Sequence, residues 1–216
     1  MDYKLIIFDW DGTLMDSQAR IISSMRSAAT ELGFVLPSDS QISNIIGLSL
    51  ERAALQLFGD LAQKELQALI ETYRKYYLHL DETPSALFDG AFEVICELRE
   101  QGYMLAVATG KGIRGLERVL RETNTQTHFH AWRGADQAKS KPDPLMLQQI
   151  LDELDISVSQ ALMVGDTTYD LEMAKNIGMC CIGVSYGVHD LDSLCCYQPL
   201  AIIDDIRQLP DIINNN

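Results

Sequence analysis

The chain has 216 residues, and its 31 acidic and 17 basic side chains give a formal charge of −14. That balance argues against a surface for nucleic-acid backbones, which require clustered Lys and Arg, and against adsorption to anionic membranes. With 47% apolar and 22% charged residues the chain is globular rather than disordered, and at roughly 150 residues per domain its length predicts one large domain or a domain with an insert.

The first strand is predicted at Lys4–Asp9, a continuous apolar run of the kind buried on both faces of a parallel sheet. Acids follow the short run Leu5 to Phe8, so this segment lacks the layout of a secretory signal. No stretch approaches the ~20 apolar residues of a membrane helix, and the expected location is cytoplasmic. From Asp16 to Pro84 the pattern is helical, with one stripe formed by Ile21, Ile22, Met25, Ala28 and Ala29 and another by Ala53, Ala54, Leu57 and Phe58. This stretch holds six basic and nine acidic side chains and therefore no basic patch. It is predicted to be a helical cap domain, residues 16–84, inserted into a core domain of residues 1–15 and 85–216.

Further strands are predicted at Tyr103–Thr109, Ala161–Asp166, Met179–Tyr186 and Leu200–Ile203. Helices between them are predicted at Ala91–Gln101, Ile113–Glu122, Pro144–Leu154 and Tyr169–Ile177. Strands alternating with helices of this length predict an α/β fold with an open, doubly wound, mainly parallel sheet. The terminal Asn214–Asn216 is expected to fray. Of the five cysteines, four are adjacent pairs, Cys180–Cys181 and Cys195–Cys196, with no CxxC spacing, and reduced thiols are expected. His128 and His130 have HxH spacing and are read as part of a surface loop.

In an open α/β sheet, ligands bind at the carboxyl ends of the strands. The first strand ends in Asp9-Trp10-Asp11-Gly12-Thr13, where residues i and i+2 place two carboxylates over one crevice. Two close carboxylates need a cation, a shared proton or different jobs; the bland alternative is an acidic turn. Thr109-Gly110-Lys111 ends the second strand and suits either an oxyanion or the capping of the next helix. Lys141, between Ser140 and Pro142, is either an anion holder or a solvated loop lysine. Asp166 and Asp170, in GDTTYD, suit a divalent cation with oxygen ligands, while helix capping explains Asp170 but not Asp166. A nucleophile, an acid/base, a cation site and an anion holder on one sheet edge are the parts phosphoryl transfer requires.

The segments FDWDGTLMDS, the Thr109 turn, KPDP and GDTTYD, in this order, resemble the four motifs of the haloacid dehalogenase superfamily of phosphohydrolases. The likeness covers nearly the whole chain, and the insert resembles the helical cap of the phosphoglycolate-phosphatase-like branch. It implies a Rossmann-like core and a Mg²⁺-dependent phosphatase acting on a small phosphate monoester, such as phosphoglycolate or a sugar or nucleotide phosphate. By position, Asp9 would be the nucleophile that becomes an aspartyl phosphate, and Asp11 the general acid and then base. Mg²⁺ would be held by the side chains of Asp9 and Asp166 and by the carbonyl of Asp11. Thr109 would bind a phosphoryl oxygen, Lys141 would neutralise charge on Asp9 and the phosphoryl group, and Asp170 would orient metal-bound water or Lys141.

The departures are Trp10, where phenylalanine is common, and Gly110, where many relatives have asparagine. Gly110, Arg52 and the Gly47-Leu48-Ser49 turn are candidates for substrate contact, with Arg20 a weaker one. Asp11 argues against dehalogenation, and the cap lysines Lys64 and Lys75 are far in sequence from the first motif, against an imine-forming lysine. Sugar-phosphate mutase chemistry on the same core, a phosphoacceptor signalling protein and an inactive binding module are the alternatives. Oligomeric state is not legible in the sequence.

Overall fold

The computed structural model describes residues 2–215; Met1 and Asn216 lie outside them. In chain order the elements are β1 (Leu5–Phe8), β2 (Met15–Asp16), α1 (Gln18–Glu31), α2 (Asp39–Ser43), α3 (Leu50–Phe58), α4 (Gln63–Lys75) and a π-turn at Tyr76–Leu80. There follow β3 (Ala86–Leu87), α5 (Ala91–Glu100), β4 (Met104–Ala108), α6 (Ile113–Glu122), β5 (Ala131–Arg133), α7 (Leu145–Leu154), β6 (Ala161–Gly165) and α8 (Thr168–Lys175). The chain closes with β7 (Cys180–Val184), α9 (Leu191–Cys195), β8 (Ala201–Ile203) and α10 (Leu209–Asn214).

Six strands form one parallel sheet in the order β5-β4-β1-β6-β7-β8, so β1 is central. Phe8 lies opposite Val107 on one side and Val164 on the other. That register brings Asp9, Thr109 and Asp166, each one residue past its strand or next to it, to one edge at the reversal of strand order.

Both sheet faces are buried, because parallel crossovers lay helices on each. Ile6, Phe8, Leu105, Val107, Leu162 and Val164 pack toward α5, α6 and α10. Leu5, Ile7, Ala106, Ala108, Ala161 and Met163 pack toward α7 and α8. Trp10 follows the same alternation: its ring is buried, edge-on to Phe129 at 6.3 Å, and its Nε1 donates to Met15 Sδ at 3.2 Å. The tryptophan fills the core, so its size does not intrude on the strand ends.

The strand β5 and the helices α9 and α10 correct the sequence reading. β5 has three residues, too few to show a periodic signal, and hydrogen bonding to β4 is what makes it a strand. His130 leads into it, its Nδ1 accepting from Leu105 N at 3.0 Å, while His128 sits in a one-turn 3₁₀ helix against Phe92. Asn214 ends α10 as an ordered residue, its Oδ1 accepting from Tyr103 Oη at 3.0 Å. Asn216 is outside the described residues.

The helices α1 to α4 have an apolar cluster of their own, built on Ile21, Met25, Ala28, Ile42, Ala54, Leu66 and Leu69. The two-stranded ribbon of β2 and β3 lies where the chain leaves the sheet and returns to it. No helix of the described residues is long and apolar enough to cross a membrane.

Candidate active site

Asp9 leaves β1 with its N–H donating to Val164 O at 2.9 Å, and its side chain is fully buried. Its Oδ1 lies 2.8 Å from Lys141 Nζ as an ion pair rather than an aligned hydrogen bond, and its Oδ2 has no partner among the described residues. Burial, against the pull of Lys141, pushes the Asp9 carboxyl up to about 7.

Lys141 is not a solvated loop lysine: its side chain is 0% exposed and also donates to Asp170 Oδ1 at 2.6 Å. Burial alone would lower its pKa, but Asp170 and Asp9 outweigh that and hold it raised. Asp170 is fixed in turn by Thr167, whose N–H and hydroxyl donate to Oδ2 at 3.1 and 2.7 Å. The first of these bonds, with Asp170 N donating back to Thr167 Oγ1 at 3.4 Å, forms the capping box of α8, so the capping expected of Asp170 and its contact with Lys141 coexist, one on each oxygen.

Asp166, at the end of β6, is equally buried. Thr13 Oγ1 donates to its Oδ1 at 2.9 Å and Val188 N to its Oδ2 at 3.0 Å. Burial first, then Asp9 and Asp170, raise its carboxyl well above the usual range. Gly12, at φ +85°, turns the chain hard against this group; a β-carbon there would overlap Asp166 Oδ2.

Asp9, Asp166 and Asp170 each offer an oxygen within 4.8 Å of the others, all buried. Three carboxylates against the one ammonium of Lys141 leave a formal excess of two negative charges. With the unpartnered Asp9 oxygen, this is a donor set suited to a hard divalent cation.

The Asp11 carboxylate does not join this group. Ser17 Oγ donates to its Oδ1 at 2.7 Å and Lys111 Nζ lies 3.0 Å from its Oδ2. Thr109 is 1% exposed, with its hydroxyl accepting from Lys111 N at 3.3 Å. Gly110 packs so tightly on the helical segment that a β-carbon would overlap the carbonyl oxygens of Gly47 and Leu48.

Other contacts tie the helical segment to the strand ends. Ser49 N donates to Ser140 Oγ at 2.9 Å, Arg52 Nη1 to Lys141 O at 3.0 Å, and Tyr169 Oη to Asn44 O at 2.8 Å. Arg52 is thus engaged with backbone. Arg20, half-buried, donates to Asp81 O at 2.7 Å with its guanidinium 5.8 Å from the Tyr77 ring centre. Thr13, Ser17 and Thr167 lay inside the quoted motifs, but nothing in their spacing says which carboxylate each would hold.

The family model described as haloacid dehalogenase-like hydrolase matches residues 6–184. The chain is 34% identical over 209 residues to a Dickeya dadantii protein named "Probable phosphatase IndB", covering 95% of this chain and 91% of that one. It is 28% identical over 218 residues to a phosphoglycolate phosphatase of Vibrio cholerae, covering 97% and 96%. A solved structure from Bacteroides fragilis assigned to the haloacid dehalogenase-like hydrolases superposes with a TM-score of 0.89 at 26% identity, covering 96% of this chain and 99% of that one. With its motifs, sheet order and buried carboxylate cluster in agreement, the chain belongs to the haloacid dehalogenase-like hydrolase family and is a hydrolase of the phosphatase type.

Proposed function

We propose that the protein hydrolyses a small phosphate monoester in two steps through a phosphorylated Asp9. The observation that carries this reading is the buried Asp9 at the end of the central strand, with one oxygen on Lys141 and the other unpartnered. A fully buried carboxylate with a free oxygen is costly unless something is meant to meet it.

In the first step an Asp9 oxygen attacks phosphorus and the bond to the ester oxygen breaks, with Asp11 giving its proton to the departing alcohol. In the second, Asp11 takes a proton from water as it attacks the phosphoryl group, releasing phosphate and restoring Asp9. Such proton transfer is worth about 10²–10⁴-fold. The Thr109 hydroxyl donates to a phosphoryl oxygen, and Lys141 offsets repulsion between the anionic nucleophile and the anionic ester. Asp170, through its 2.6 Å contact, keeps Lys141 in place.

The side chains of Asp9 and Asp166 and the carbonyl of Asp11 would hold Mg²⁺, which supplies the two positive charges the cluster lacks. Millimolar Mg²⁺ is expected to raise the melting temperature, because a cation at about 100 times its Kd stabilises by ~2.7 kcal/mol. Chelator should reverse that shift and stop phosphate release together; a melting temperature indifferent to Mg²⁺ would remove the metal from this reading.

In the same reading residues 16–84 are a cap domain over a core of residues 1–15 and 85–216. The separate apolar cluster of α1 to α4 and the ribbon at the crossing support this division. A cap seated on the strand ends excludes water and admits small substrates only. Gly110 and Arg52 would shape the substrate space through this seating. Gly110→Ala should therefore lower kcat/KM by about 10- to 100-fold by misplacing the helical segment, with a fall in melting temperature as well, because the atoms a β-carbon would overlap are backbone.

The decisive experiment measures phosphate release from phosphoglycolate, sugar phosphates and nucleoside monophosphates, with Mg²⁺ and with chelator. Mg²⁺-dependent release from at least one supports the reading, and the order of rates names the substrate class. No release from any of them counts against it.

A further inference from the structure

Lys111 ends the Thr109-Gly110-Lys111 turn, which the sequence offers to an oxyanion or to the cap of the next helix, with no role for the lysine itself. Its side chain is 11% exposed, and its ammonium lies 3.0 Å from Asp11 Oδ2. Nζ also donates to Tyr77 Oη at 3.3 Å and stands 4.7 Å from the Tyr77 ring centre. Tyr77 belongs to the π-turn that follows α4 and stacks on Tyr73 at 5.7 Å. The other Asp11 oxygen is held at 2.7 Å by Ser17, which precedes α1. Both oxygens of one carboxylate are thus fixed, one by the chain on its way into the helical segment and one by a lysine held down from that segment's far end.

We propose that Lys111 is a positioning residue for Asp11, clamped onto it by Tyr77 of the helical segment. The inference rests on the phosphatase reading above, in which Asp11 moves the proton. A carboxyl that must deliver a proton to a departing oxygen needs a defined orientation, and a desolvated ammonium at 3.0 Å supplies one. When the proton leaves, the new carboxylate already faces a positive charge and a hydroxyl donor, so the charge it gains is met without reorganisation. Tyr77 adds a ring face and a hydroxyl acceptor, both favourable to a cation. Because Tyr77 comes from the helical segment, Asp11 is fully held only when that segment is seated.

The test compares two esters. An alkyl phosphate needs a proton on its departing oxygen, whereas p-nitrophenyl phosphate releases a stable anion and needs little help. The ratio kcat/KM reports steps up to alcohol departure and separates this role from the later attack of water. Lys111→Met is expected to lower kcat/KM for the alkyl ester about 10- to 100-fold, part of what general acid catalysis is worth, and that for the aryl ester less than about 3-fold. Lys111→Arg should restore much of the difference. Equal losses on both esters, or no loss on either, overturn the proposal, since a structural role lowers both alike. Should Lys111→Met fail to fold, Tyr77→Leu decides in its place. It frees Lys111 from the helical segment without touching the strand ends, and the same selective loss is expected; an unchanged alkyl-to-aryl ratio overturns the proposal. Wild-type protein inactive on every ester would overturn the phosphatase reading itself, a result distinct from active protein whose ratio Lys111 does not control.

Discussion

Asp9→Asn protein is expected to fold and to release no phosphate, with turnover down by at least ~10⁴-fold, the scale on which loss of a nucleophile registers. An amide oxygen has the shape of the carboxylate but neither its charge nor its nucleophilicity. The fold should tolerate the change because Asp9 is one of three buried carboxylates sharing a single ammonium. Burial has already pushed its carboxyl up to about 7, so a neutral side chain there costs little. Melting temperature in chelator should therefore stay the same or rise, while the Mg²⁺-induced rise shrinks. Phosphate-release assays and paired thermal melts check both halves. Turnover near the wild-type rate would end the covalent mechanism, and an unfolded variant would contradict the charge argument.

Lys141→Met is expected to do the opposite to stability while also abolishing activity. Its removal strips the counter-charge from Asp9 at 2.8 Å and Asp170 at 2.6 Å in a fully buried place. Breaking a buried pair from one side costs about 3–5 kcal/mol, because the partner charge is left uncompensated. At 2–4 °C per kcal/mol for a chain of this size, the melting temperature should fall by roughly 6–20 °C. Adding Asp9→Asn to this variant should return part of the loss, a coupling of opposite sign to the usual sum of two defects. Denaturant melts of the two single variants and the double variant measure it. A loss below about 1 kcal/mol, within the range of surface substitutions, would mean that Lys141 does not carry the charge balance of the cluster. Lys141→Arg is no conservative control, since a planar guanidinium does not fit where a compact ammonium is enclosed on all sides.

Much of the fold was legible because buried parallel strands write themselves as apolar runs. Leu5–Phe8, Met104–Ala108, Ala161–Gly165, Cys180–Val184 and Ala201–Ile203 fall within the segments expected. The three residues of β5 were not legible, because edge pairing rather than side-chain pattern makes them a strand. The candidate residues at the strand ends were legible too, since polar groups that interrupt apolar runs stand out. Their partnerships were legible only in part: the resemblance sets Lys141 beside Asp9 and offers Asp170 a place next to it, contacts the structure has, whereas nothing in the sequence sets Lys111 on Asp11.

By itself, then, the amino-acid order determined the alternation of strands and helices, the helical insert and the kinds of group that stand at the sheet's edge. These are local properties, carried by periodicity and by residue type over a few positions. Only the tertiary structure decided that Lys111 faces Asp11, that Lys141 is enclosed, that Arg52 is spent on a backbone carbonyl, and that Tyr77 sits on Lys111. Such pairings join residues far apart in the chain, 153 positions in the case of Thr13 and Asp166. They depend on strand order and on how the helical segment seats, and no local pattern encodes either, because both are set by the burial of whole faces against one another.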